Sequence, residues 1–276
     1  MEAGLKIWIH QAEASWLDEL YANAENLFRN SSLPSHDHSH HLRVWNLCKT
    51  LLHEVASFNP TIDQTLVEGI LIAAFFHDLG MVYSIHPDHG HLGVELCIEW
   101  FRATGRERPG NFNEVLRAIE LHDRKDEQIY GSFQRDTPPE ILTFLSVADD
   151  LEAMGIIGIY RYAEIYLRRD IPLEELGERI LANASSRFGN ITRACLLCER
   201  IIENFHRQYE ELRQFFENYN HQLNAVSRAD GLSSGPLGVI NYISTPGTGL
   251  SDLTRAGGDV NEFFRQLKHE LDQARL

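Results

Sequence analysis

Four fragments of the 276-residue chain concentrate histidine and aspartate beside apolar residues: SHDHSHHLRVW (35–45), AAFFHDLG (73–80), AIELHDRKD (118–126) and LSVADDLEAMGIIGIYR (145–161). Each places an ionisable side chain at the end or on the inner face of an apolar stretch, where a charge or a polar ring needs a partner. A shared cation is one partner that satisfies imidazole and carboxylate together, and a mixed set of this kind suits Mn, Fe, Co, Ni or Zn and, less well, Mg. Any one of these histidines alone has an ordinary explanation as a hydrogen-bonded core or helix-end residue. Four fragments of the same character are harder to explain that way.

The elements that must position them read as helices. Trp16, Leu20, Ala24 and Leu27 recur at three- and four-residue steps in a first helix near 5–29. His40, Val44, Leu47 and Leu51 share one face of a second helix ending near Phe58, and Leu66, Ile70, Ala73 and His77 share one face of a third, expected to stop around Gly80. Further helices are expected near 89–104, 112–123, 138–153, 155–169 and 173–187. A long one should start at Asn190 as N-cap and run through Ile191, Ala194, Cys198, Ile201, Phe205, Leu212, Phe215 and Tyr219. No strand alternation stands out, so the fold class is all-α. From about Asp230 the chain turns rich in Gly, Ser and Pro, which predicts a long loop before a short final helix near 259–273. The expected organisation is a helical domain over 1–228 and a C-terminal loop-and-helix appendage over 229–276.

The ordered set of a His before an Arg-Val pair, a His-Asp doublet and a later Asp resembles the HD-domain superfamily. Here it reads His40 with Arg43-Val44, His77-Asp78, and Asp149 in Ala148-Asp149-Asp150-Leu151. The resemblance spans about 15–170, and Gly155 and Gly158 look like those of bacterial HD hydrolases that continue in a Gly-containing helix. It implies a helical bundle whose metal is held by His40, His77, Asp78 and Asp149. His40 is preferred over His41 for its two-residue spacing to Arg43-Val44 and its place on the Val44 face. That leaves His36, His38 and His41 at the surface or behind the ligands. Asp149 is preferred over Asp150 by its place after Ala148. Adjacent helical residues point about 100 degrees apart, so His77 and Asp78 can serve one ion only where the helix ends.

The chemistry implied is hydrolysis of a small phosphorylated molecule, a nucleotide among the candidates, by a water whose pKa a divalent ion lowers to about 7. Asp78 or a nearby carboxylate would orient the water, and Arg43, Arg124, Lys125 or Arg161 would neutralise developing charge. One departure matters: many family members carry Gly-Lys after the doublet, whereas this chain has Gly80-Met81. Arg124 and Lys125 are the candidate replacements, although such a pair is equally at home in a solvated loop. A single ion is the expected occupancy. Dinuclear members use extra histidines between the doublet and the last Asp, and here His89 or His91 with His122 would serve, His122 being the better of them. Two other readings follow from the same resemblance: a di-iron oxygenase, and a non-catalytic binding or regulatory module that a metal staples together.

Composition narrows the partners. Forty acidic residues face 25 Lys and Arg, a formal net charge of -15, which argues against general binding to a phosphate backbone. The N-terminus lacks the unbroken apolar stretch of a signal peptide. The apolar run Ile70–Phe76 falls short of the roughly 20 residues a membrane span needs, so a cytoplasmic protein without a membrane partner is expected. Self-association is left open. The four cysteines do not form the dense framework of a small secreted domain, and Cys195 and Cys198 fall on a helical apolar stripe, which predicts core packing. Thr245-Pro-Gly-Thr-Gly249 lacks the Lys-Ser/Thr of a P-loop and reads as a turn. Ser146 has no nucleophile-elbow context.

Overall fold

The computed structural model describes residues 2–31, 33–86, 88–124, 130–225, 233–245 and 258–273. Every helix or strand among them is a helix: α1 (Glu2–Ala12), α2 (Asp18–Phe28), α3 (His38–Ala56), α4 (Gln64–Phe76), α5 (His89–Thr104), α6 (Phe112–Leu121), α7 (Ile141–Glu152), α8 (Gly155–Arg168), α9 (Leu173–Ala194), α10 (Glu199–Ala225), α11 (Gly235–Ser244) and α12 (Gly258–Gln273). Short 3-10 turns stand at Pro34–His36 and Leu79–Val82. The chain divides into two compact units, Met1–Leu151 with Gly189–Ile202, and Glu152–Phe188 with Glu203–Leu276.

In the first unit α1 and α2 form one continuous helical stretch, joined through a π turn at Glu13–Leu17. The buried series Leu5, Ile9, Ala12, Trp16, Leu20, Ala24 and Phe28 runs through the turn, whose wider pitch absorbs the drift of repeated four-residue steps. Glu13 at its start accepts hydrogen bonds from Trp45 Nε1 and Lys49 Nζ of α3, both at 2.8 Å. Asp37 caps α3, accepting from the backbone N–H of Ser39 at 2.9 Å and of His40 at 3.3 Å. Asp63 caps α4 through the Leu66 N–H. From Gly69 to Phe76 every residue of α4 is buried, as a helix apolar all round requires. By length and composition Gln64–Val82 would suffice to cross a membrane, but 78% of its span is buried inside the protein, which is how a core helix behaves.

In the second unit the core joins Ile159 and Ala163 of α8, Leu176 and Ile180 of α9, Leu212 and Phe216 of α10, Ile240 of α11 and Phe264 of α12. The C-terminal helices thus share a core with α8–α10.

Three expectations about elements need correction. α4 ends at Phe76, not at Gly80, and the doublet occupies the turn that follows. α9 continues past Asn190 to Ala194: Asn190 is buried within the helix with its side chain held by Arg193, where it does not cap a new one. The break falls instead at Cys195–Cys198, where the Cys198 N–H donates to Cys195 O at 2.7 Å. Finally, Gly235–Ser244 is a helix inside the segment expected to be loop. Pro236 is preorganised for its first turn, and the apolar Leu237, Val239 and Ile240 are buried. The Gly-rich stretch 246–250 and Lys125 lie outside the described residues.

Candidate metal centre

The ends of α3, α4, α5, α6 and α7 supply two groups of ligand atoms, both within the first unit and both fully buried. One holds His40, His77, Asp78 and Asp149, and the other Asp78, His89 and His122; within each, the ligand atoms lie within 4.8 Å of one another. We call them the primary and the second set. In the primary set His40 Nε2 and His77 Nε2 stand 3.1 Å apart. Asp78 Oδ2 is 3.2 Å from the former and 3.4 Å from the latter, and Asp149 Oδ1 is 4.0 Å from each. In the second set Asp78 Oδ1 lies 3.3 Å from His89 Nε2 and 3.1 Å from His122 Nε2, which are themselves 3.2 Å apart. The Asp78 carboxylate therefore turns one oxygen to each set.

Backbone carbonyls, which only accept, settle which ring nitrogen carries hydrogen. His77 Nδ1 donates to Ala74 O at 2.9 Å, His89 Nδ1 to His86 O at 2.7 Å and His122 Nδ1 to Ile119 O at 2.7 Å. Each ring, when neutral, is left with a lone pair on Nε2. In the second set two such lone pairs and a carboxylate oxygen converge within 3.3 Å, an arrangement of acceptors only, which a shared proton or a cation must satisfy. The orientation of these three rings by a carbonyl on the far nitrogen is the pattern found around metal-binding histidines.

The electrostatics make Asp78 the charged partner that draws a proton or a cation into this cluster. Burial pushes the Asp78 carboxyl up, but His77 and the hydrogen bonds of His122 and His40 outweigh it and hold it well below the usual carboxylate range. Burial lowers His77 against the pull of Asp78. Burial would lower His89 too, yet the hydrogen bond and charge of Asp78 bring it up to about 9. Burial beside Asp149 pushes the Cys48 thiol up.

Neighbouring residues hold these ends in place. Ser146 Oγ donates to His122 O at 3.2 Å, tying α7 to the end of α6. Tyr130 donates its hydroxyl hydrogen to Asp150 Oδ2 at 2.9 Å, so the adjacent carboxylates divide their work: Asp149 joins the primary set and Asp150 anchors Tyr130. Neither contact was foreseen, since both link residues far apart in sequence without a periodic signature.

The remaining expected residues fall in different places. His91 is 65% exposed and pairs with Glu95 and Glu120, which separates it from His89. Arg43 is buried and donates to Ser39 Oγ at 2.7 Å. Arg124 is exposed and lines a cavity of about 300 Å³ together with Asp88, His91, Glu120 and Asp123. Arg161 belongs to the second unit, where a buried ion pair joins it to Glu152. His36 and His41 are buried, not at the surface: His36 bonds Ser35 Oγ at 2.7 Å, and His41 packs against Phe28 and Phe75.

Fold and site together define an all-helical protein with a buried histidine and aspartate centre able to hold metal. A family model described as the HD domain matches residues 38–154, a stretch that includes every residue of both sets, and this match supports membership of the HD-domain superfamily. The match is shorter at both ends than the expected 15–170. No curated protein and no solved structure matches the chain. The family points to metal-dependent, hydrolase-type activity.

Proposed function

We propose that the chain is a metal-dependent phosphohydrolase acting on a small phosphorylated molecule through two neighbouring divalent ions. The observation that carries this reading is the Asp78 carboxylate, with Oδ2 among His40 and His77 and Oδ1 between His89 and His122. His40, His77 and Asp149 would hold one ion, His89 and His122 the other, and Asp78 would bridge them. When bound, such ions supply Lewis acidity, making water acidic and polarising the bond under attack.

The protein's own residues do the rest. Carbonyls of Ala74, His86 and Ile119 fix the ring orientations, so the ligand geometry is in place before anything binds. With both oxygens turned to imidazoles, Asp78 would bridge rather than take a proton from water. Of the described arginines considered, Arg124 is the exposed one, two residues after His122, and would meet an incoming anion there; Arg43 is buried on Ser39 and Arg161 is held by Glu152. All four cysteines are free, which fits a reducing cytoplasm.

Elemental analysis combined with a panel of phosphatase and phosphodiesterase substrates tests the proposal. Phosphate release that vanishes on chelation and returns with a divalent ion is the expected result. The His89–His122 pair favours one competing reading, a di-iron oxygenase. Oxygen consumption by the iron-loaded protein without phosphate release would select it.

A further inference from the structure

The start of α5 packs against the C-terminal ends of α4 and α6, which carry His77-Asp78 and His122. It comes closer than a side chain permits. A Cβ at Gly90 would lie 2.8 Å from Glu120 O and 3.1 Å from Ile119 O. One at Gly93 would lie 2.7 Å from Phe76 O and 3.2 Å from His77 O, and one at Gly80 would overlap His89 O. The nearest obstacle in each case is a backbone carbonyl, which cannot rotate away as a side chain would, although Ile119 Cγ2 at Gly93 and Leu92 Cβ at Gly80 stand close as well. None of the three glycines has a positive φ, so left-handed backbone is not the reason for them. Two sit in the first turns of a helix, where glycine is a poor choice unless packing demands it.

We infer that Gly80, Gly90 and Gly93 are positioning residues for the second set, an inference that rests on the two-ion reading above. Gly80 admits the His89 carbonyl against the turn that follows Asp78. Gly90 admits the end of α6, including Ile119 O, the same carbonyl that orients His122. Together they fix how deeply His89 sits and hold its Nε2 within 3.3 Å of Asp78 Oδ1 and 3.2 Å of His122 Nε2. A methyl group at position 90 must push α5 away from α6 by some tenths of an ångström, widening both spacings. The three atoms nearest that methyl all belong to Ile119 and Glu120, so the displacement should fall on the second set and leave His40, His77 and Asp149 in place. A methyl at 93 meets His77 O as well and disturbs both sets.

The test uses the full chain, stripped with a chelator and titrated with Mn²⁺, followed by equilibrium binding and electron paramagnetic resonance. The native chain should take up two equivalents and give the spectrum of a spin-coupled pair. Gly90→Ala should keep the first equivalent, bind the second at least tenfold more weakly, and recover the coupled spectrum only at high Mn²⁺. Gly93→Ala should weaken both. Gly4→Ala, whose methyl would meet only the Trp8 side chain at 3.7 Å, should match the native chain. A Gly90→Ala chain that fills both sites with native affinity overturns the inference. So does one that loses its helical circular dichroism even in Mn²⁺, because the glycine would then support the whole unit rather than the second set. A native chain that takes only one equivalent overturns the two-ion reading itself.

Discussion

His41 and His77 share one acceptor: both Nδ1 atoms donate to Ala74 O, at 3.1 and 2.9 Å. Only His77 turns its other nitrogen toward carboxylates. His41 Nε2 is buried with no hydrogen-bond partner among the described residues, and burial, with the neighbouring His77 and His40, holds its pKa well below the usual imidazole range. We expect His41→Phe to keep Ala74 O satisfied by His77 and to remove an unpartnered acceptor. Stability should change by no more than about 1 kcal/mol, with metal content unchanged. A thermal melt with metal analysis checks this, and a loss of metal would show that His41 acts as a ligand.

His77→Ala, His122→Ala and Asp78→Ala should separate the two sets. His77→Ala should abolish activity and empty the primary set, and His122→Ala should cost one equivalent of metal. Asp78→Ala should lose both, since its oxygens serve both sets. Helical circular dichroism should survive in all three. Full metal content in Asp78→Ala would remove the bridge from the account.

Cys195→Ala with Cys198→Ala should leave metal stoichiometry unchanged. Both sulfurs are buried in the first unit and neither belongs to a ligand set. Trimming two small buried side chains should cost about 1–3 kcal/mol, read from a denaturant melt. Loss of one metal equivalent would reveal a thiolate site.

In the second unit burial pushes the Glu270 carboxyl up, and the neighbouring Glu211, itself raised by burial, pushes it further. A carboxyl with a raised folded pKa stabilises the fold below its unfolded pKa, and that contribution is lost as pH rises through the folded value. Glu270→Gln should therefore raise the melting temperature at pH 7 by a few degrees at most and leave it nearly unchanged at pH 4. Equal shifts at both pH values would mean that ionisation is not the cause.

The primary set was legible because its residues sit in short fragments: the Val44 face picks His40, and the apolar run before His77 ends at the doublet. The choice between His89 and His91 was not. Both lie in one His-Gly-His triplet, and only the start of α5 at His89 turns the first ring inward and leaves the second 65% exposed. The break at Cys195–Cys198 was hidden because buried residues continue on either side of it. Leu237, Val239 and Ile240 after Pro236 were the available signal for α11, and the surrounding Gly and Ser outweighed it. The two-sided use of Asp78 has no signature in spacing, because a carboxylate's rotation is set by what stands on either side of it.

Because one carboxylate faces both sets, they are thermodynamically reciprocal. A cation drawn to either side fixes the Asp78 rotation and draws on the same negative charge that the other side uses. Whatever factor this applies to the affinity of the second ion, the first must feel equally in return. On the two-ion reading, a loading curve would then describe the pair, and neither ion would have an affinity apart from the occupancy of its neighbour.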